Sequence, residues 1–192
     1  MKNWKEVDGW FNEINEKFFD SCIEKLNSPK VFYEVGSWKG RSTCCMAQLL
    51  KQKNIPVKLY AIDTFLGSGE SIHNQEIENL KRKNLTLYDV FLSNILDCGV
   101  DDIVVPIKST GEEACSKVEN NSVDFLYLDA AHNYNSVKND INMWIPKMKK
   151  GSIISGDDYV ACWPGVIKAV NEIFKDLEKE VDIFETQWRV FL

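Results

Sequence analysis

Val123-Asp124-Phe125-Leu126-Tyr127-Leu128 runs directly into Asp129-Ala130-Ala131-His132, and Gly151-Ser152-Ile153-Ile154-Ser155-Gly156 runs directly into Asp157-Asp158. Each apolar stretch has strand length and little polar alternation, as expected of a strand covered on both faces in a parallel sheet. Between them, residues 134–148 carry helical periodicity, so the unit reads as a βαβ crossover. A right-handed crossover brings both strand ends to one sheet edge, where open α/β sheets keep their ligands. Three carboxylates and one imidazole are then expected to converge there. Carboxylates this crowded repel one another unless a cation or a proton is shared among them. The pattern therefore predicts chemistry, not packing.

Outward from this unit the alternation continues. Strands are expected at residues 31–35, 57–62 and 103–107, with helices at 41–52, 75–96, 111–118 and 163–178. Residues 4–26 place apolar side chains at helical spacing, including Trp10, Phe11, Phe18 and Phe19, and predict one amphipathic helix. Val181–Phe184 and Trp188–Leu192 are expected to close the sheet as an antiparallel pair. Strand–helix alternation throughout defines an α/β class, a three-layer α/β/α Rossmann-like sandwich. At 192 residues the chain is expected to form a single domain, with residues 1–28 as an N-terminal helical extension.

A net charge of −6 argues against a nucleic-acid surface, which needs a basic patch or stripe. The Lys147-Lys149-Lys150 cluster precedes a strand and reads as a solvated turn. No basic-then-apolar leader and no membrane-length apolar stretch is seen, so a cytoplasmic protein without membrane association is expected. The six cysteines show neither a C-x-x-C pair nor zinc spacing, and they read as reduced, mostly buried thiols.

The first strand leads into Glu34-Val35-Gly36-Ser37-Trp38-Lys39-Gly40-Arg41-Ser42-Thr43. Gly36 allows close backbone approach to a ligand and Gly40 a tight helix start. Trp38 and Arg41 stand where a dinucleotide fingerprint has glycines, which disfavours a pyrophosphate cradle. Asp63 ends the second strand, at the usual place of an acid that holds ribose hydroxyls, though a helix cap or a solvated loop aspartate fits the position equally. A glycine turn plus a ribose acid without a phosphate loop suggests a nucleoside ligand lacking phosphate, such as S-adenosylmethionine. Glu34 either anchors the turn or lies near the cofactor's amino group.

These residues resemble the class I S-adenosylmethionine-dependent methyltransferases. More narrowly, the chain is similar to the branch containing macrocin-type and mycinamicin-type sugar O-methyltransferases and cephalosporin-hydroxylase-like proteins. The resemblance rests on Glu34 to Thr43, Tyr60-Ala-Ile-Asp63, Phe125 to His132 with Tyr134, Gly156-Asp-Asp-Tyr159, and Trp163-Pro-Gly-Val166. It implies a seven-stranded sheet with a reversed last hairpin, cofactor across the ends of the first two strands, and magnesium on the carboxylates. The implied cofactor contacts are Glu34, Gly36, Ser37, Gly40, Ser42, Asp63, Ser109 and Asp129. The implied metal ligands are Asp129, Asp157 and Asp158, and His132 is the implied base.

Magnesium prefers oxygen ligands, and a histidine of near-neutral pKa suits proton removal from a hydroxyl. The expected reaction is therefore methyl transfer to the oxygen of a hydroxylated small molecule such as a sugar or glycoside, by a monomer or homodimer. One of Asp157 and Asp158 could instead cap the following helix. His73, after the Gly67-Ser68-Gly69 loop, either touches the acceptor or is a surface residue. Two rival readings use the same residues: a metal-dependent hydrolase or oxygenase, and a cofactor-binding module without activity. An iron facial triad would require His73 to join His132 and Asp129.

Overall fold

The computed structural model describes residues 1–192. Seven strands form one sheet: β1 (Val31–Val35), β2 (Lys58–Asp63), β3 (Val104–Lys108), β4 (Val123–Leu128), β5 (Met148–Gly156), β6 (Asp182–Phe184) and β7 (Gln187–Phe191). Their order is β3-β2-β1-β4-β5-β7-β6. The first five run parallel, and β7 pairs antiparallel with both β5 and β6. The order reverses between β1 and β4, and a crevice forms at their carboxyl ends.

Alternation along each strand makes the layers. Phe32, Leu59, Phe125, Tyr127 and Ile153 face one apolar cluster. Their chain neighbours Tyr33, Tyr60, Leu126, Leu128 and Ile154 face the other. Helices α1 (Glu13–Lys25), α2 (Arg41–Gln52) and α4 (Leu87–Asp97) cover the first face with Phe18, Phe19, Met46, Leu50 and Phe91. Helices α5 (Gly111–Cys115), α6 (Tyr134–Trp144) and α7 (Pro164–Asp176) cover the second with Ala114, Ile141, Trp144, Val170 and Phe174. Helix α3 (Ser71–Arg82) buries mainly Leu80 and borders the crevice. The three-layer architecture expected from the sequence is present, including the antiparallel hairpin. No helix is long and apolar enough to cross a membrane.

Four expected elements differ, the smallest change being α5, which ends at Cys115 and not at 118. The N-terminal helix does not run from Trp4: a short 3-10 turn (Trp4–Glu6) is followed by extended chain, and α1 begins only at Glu13. Asn12 causes this, because its side chain accepts from the Ile14 and Asn15 main-chain N–H groups while the Asn15 side chain accepts from the Asn12 N–H. The helix expected over 75–96 is two helices. Thr86 and Asp89 form a second reciprocal cap, and Asn84 sits in the left-handed region at φ 56°. Helix α6 stops at Trp144 because Pro146 enters a 3-10 turn, and β5 starts at Met148, ahead of the expected Gly151.

The extended N-terminal chain is fastened across the start of α2. Arg41 donates from Nε to the Phe11 carbonyl (2.5 Å) and from Nη1 to the carbonyls of Lys5 (3.1 Å) and Val7. The Lys39 ammonium is buried between Asp8 of this segment (2.7 Å) and Glu76 of α3 (2.6 Å). One lysine thus ties the N-terminal segment to α3, both of which border the crevice.

Candidate active site

The crevice is a cleft of about 550 Å³ at the carboxyl ends of β1, β2 and β4, a size usual for small-molecule sites. Its floor is built from main chain. Gly36 has φ +95°, and a Cβ there would lie 1.9 Å from the Asp129 carbonyl oxygen, so β1 and β4 touch through their backbones. Gly36 N–H also donates to Ile62 O, and Asp129 N–H to Val35 O (both 2.8 Å). Glycine is required here by chain packing.

Glu34 lies beneath the turn and does not line the cleft. Its carboxyl is buried and hydrogen-bonded to Ser37 Oγ (3.1 Å), Ser42 Oγ (2.5 Å) and Thr43 Oγ1. Burial pushes its pKa up to about 7 against the opposing effect of those hydroxyls. Of the two expectations for Glu34, the structure shows the anchor of the turn. Gly40 also lies outside the cleft wall: it caps α2 with φ +87°, and its missing Cβ leaves room for Phe91. Gly36, Ser37, Ser42, Asp63, Ser109 and Asp129 all line the cleft.

Asp63 braces two loops at once. Its Oδ2 accepts from Trp38 N–H (2.8 Å) and its Oδ1 from Phe65 N–H (2.6 Å). Ser109 N–H donates to the Asp63 carbonyl (3.0 Å), while Ser109 Oγ reaches Thr110 O and Glu113 (both 3.1 Å).

The strand ends carry the charged cluster. One ligand atom each from Asp129, His132 and Asp158 lies within 4.8 Å of the others. His132 Nε2 is 2.8 Å from Asp158 Oδ2, and Nδ1 is 3.5 Å from Glu70 Oε1. The hydrogen bond to Asp158 holds the imidazole pKa above its ordinary value. Its ring stacks on Trp163 at 4.2 Å. Burial, then the nearby carboxylates Asp157, Asp158, Glu34 and Asp63, raise the Asp129 pKa well above the ordinary range. No lysine lines this cleft to offset that charge.

Asp157 stands apart from the group of three. Its Oδ2 accepts from the buried Tyr127 hydroxyl (2.9 Å), and its Oδ1 from Thr186 Oγ1 (2.6 Å) and Asp158 N–H (2.8 Å). Gln187 completes the chain by donating to Tyr127 (2.9 Å). Asp157 therefore orients the turn in which Asp158 takes φ 63°, and neither aspartate caps α7, which has no side-chain cap.

Several site residues were not legible as such. Glu70 faces His132 from the glycine-bearing loop, whose position was the only available signal. Thr186 reaches the site from the closing hairpin, a long-range contact without any local pattern. Trp10, read as part of an apolar helix stripe, is 63% exposed and lines the cleft with Trp38 and His73. His73 does not join the three-donor group, so no two-histidine facial triad is assembled.

A five-stranded parallel run, a reversed final hairpin and a cleft at the switch point, floored by a glycine turn and a ribose-type acid, are the marks of class I S-adenosylmethionine-dependent methyltransferases. The chain belongs to the methyltransferase-domain family, whose model matches residues 33–159, more than half its length. A protein of Acanthamoeba polyphaga mimivirus, "Uncharacterized protein R132", is 32% identical over 152 residues. That match takes in 77% of this chain but 60% of the viral protein, so the chain spans less than two-thirds of that relative. Among solved structures, the O-methyltransferase NovP superposes with TM-score 0.70 at 16% identity, covering 93% of this chain and 79% of NovP. The SAH-bound Podospora anserina methyltransferase PaMTH1 superposes with TM-score 0.69 at 12% identity, covering 94% and 79%. At such identities these two likenesses speak to fold alone.

Proposed function

We propose that this chain is an O-methyltransferase that uses S-adenosylmethionine and a divalent cation, magnesium by its oxygen-rich donor set, to methylate a hydroxyl of a small molecule such as a sugar or glycoside. The observation that carries this reading is the Asp129, His132 and Asp158 cluster beside the Gly36 turn and Asp63 in one cleft. The donor set fits a hard cation: the carboxylates of Asp129 and Asp158 converge with His132 in one group, and oxygen donors outnumber nitrogen there.

S-adenosylmethionine would supply an electrophilic sulfonium methyl, and the cation would lower the pKa of the acceptor hydroxyl. The residues of the chain do the rest. Gly36 and Ser37 border the methionine end and Asp63 the ribose. Asp129 and Asp158 hold the cation, with Asp157 fixing the turn that presents Asp158. His132, gripped between Asp158 and Glu70 and backed by Trp163, takes the acceptor proton. Alignment of acceptor oxygen and methyl is the main catalytic task. Residues 1–28 serve this unit as a wall of its cleft, and six free thiols, five of them buried, suit a reducing compartment such as the cytoplasm.

Calorimetric titration with S-adenosylmethionine, with and without magnesium, tests the reading. Micromolar binding of the cofactor, plus magnesium binding that disappears in Asp158→Ala, is expected. His132→Ala should abolish turnover while leaving cofactor affinity nearly intact; unchanged turnover would remove its role as base. No binding of S-adenosylmethionine would sink the transferase reading. Cofactor binding without transfer to any hydroxylated acceptor would favour a module without activity.

A further inference from the structure

The outer half of the cleft is aromatic, and nothing in the cofactor or cation site accounts for it. Trp10 exposes 63% of its surface although it belongs to a segment whose neighbour Phe11 is buried. Trp38 adopts φ 46° inside the glycine turn, a left-handed conformation unfavourable for a bulky residue, held by its N–H on Asp63 (2.8 Å). His73 stacks on Trp38 at 4.2 Å and meets Trp10 at 5.3 Å. Two loops and a helix therefore converge to hold three rings at the cleft mouth. The Arg41 clamp and the Lys39 link fix the segments that carry them.

The cleft also offers acceptors for hydroxyl groups: Asp63, Glu70, Asp129, Asp157 and Asp158 all line it. Arg41, in the wall, uses Nε and Nη1 on main-chain carbonyls and lies over the Trp4 ring.

The geometry points to an acceptor subsite in which Trp10 and Trp38 receive the apolar ring face of a hydroxylated molecule. Ring faces of sugars and of planar aglycones both suit such a platform. This rests on the methyltransferase reading above, since it names the class of acceptor for that same cleft.

The test is calorimetric titration of the full chain, in the presence of magnesium and S-adenosylhomocysteine, with a panel of 4-nitrophenyl glycosides. Neutral glycosides should bind, and Trp10→Ala should weaken them about tenfold, with Trp10→Phe restoring most of the affinity. Binding of neutral glycosides unchanged in Trp10→Ala overturns the platform, as does binding of none of them. S-adenosylmethionine binding is read in a separate titration without glycoside, so its failure removes the transferase reading independently of the platform result.

Discussion

The floor and the rim of the cleft are built by different means. On the floor, Gly36 and Asp129 meet backbone to backbone, Glu34 accepts buried hydrogen bonds from Ser37, Ser42 and Thr43, and Asp157 accepts one from Tyr127. At the rim, Trp10, Trp38, His73 and Glu70 come from three separate segments held by side-chain ties through Arg41 and Lys39. A floor of main-chain contacts tolerates little change, whereas a rim of side-chain contacts can be altered without disturbing the chemistry beneath. Stability should therefore be concentrated on the floor and selectivity on the rim.

The sharpest way to break that contrast is Gly36→Ala. A Cβ 1.9 Å from a carbonyl oxygen, at φ +95°, forces β1 and β4 apart, and a loss of more than about 4 kcal/mol in denaturant unfolding is expected. A loss below about 1 kcal/mol would show the floor to be more pliant than described.

Next in size is the contribution of Glu34. A carboxyl whose pKa is raised from 4.5 to about 7 on folding stabilises fully below the unfolded value and loses that contribution as pH rises through about 7. Between pH 4.5 and 7 the ligand-free protein should lose up to about 3 kcal/mol from this group. Glu34→Gln should flatten that slope relative to the parent chain, as followed by urea midpoints across pH. Parallel slopes for the two proteins would mean that Glu34 ionises normally.

At the rim the effects should shrink. Lys39→Met removes a buried ammonium whose partners Asp8 and Glu76 keep access to water, so roughly 1 kcal/mol is expected by thermal unfolding. Trp10→Ala should change stability by less than about 0.5 kcal/mol, since most of the ring is in solvent. A large loss in either variant would make the rim part of the core and erase the distinction.

The same division governs what could be read from sequence. β1, β2, β4 and β5 are apolar runs ending in glycine or aspartate, so their type, direction and shared edge follow from local pattern and crossover handedness. The convergence of Asp129, His132 and Asp158 was legible for that reason. What escaped depends on contacts remote in sequence: Thr186 and Tyr127 on Asp157, Glu70 on His132, Trp10 on His73. Two misreadings did have local signals. Asn12 with Asn15, and Thr86 with Asp89, are reciprocal caps placed three residues apart, and the apolar periodicity running through them concealed two helix starts.

The contact between Gly36 and Asp129 also has a thermodynamic side. On the proposed reading, a turn that would border the nucleoside donor and a strand end that would present a cation ligand share one rigid junction, with no compliant side chain between them. Displacement of either element by a bound partner must be felt by the other. Any influence of donor on cation affinity must then be returned in equal measure, as a closed thermodynamic cycle requires.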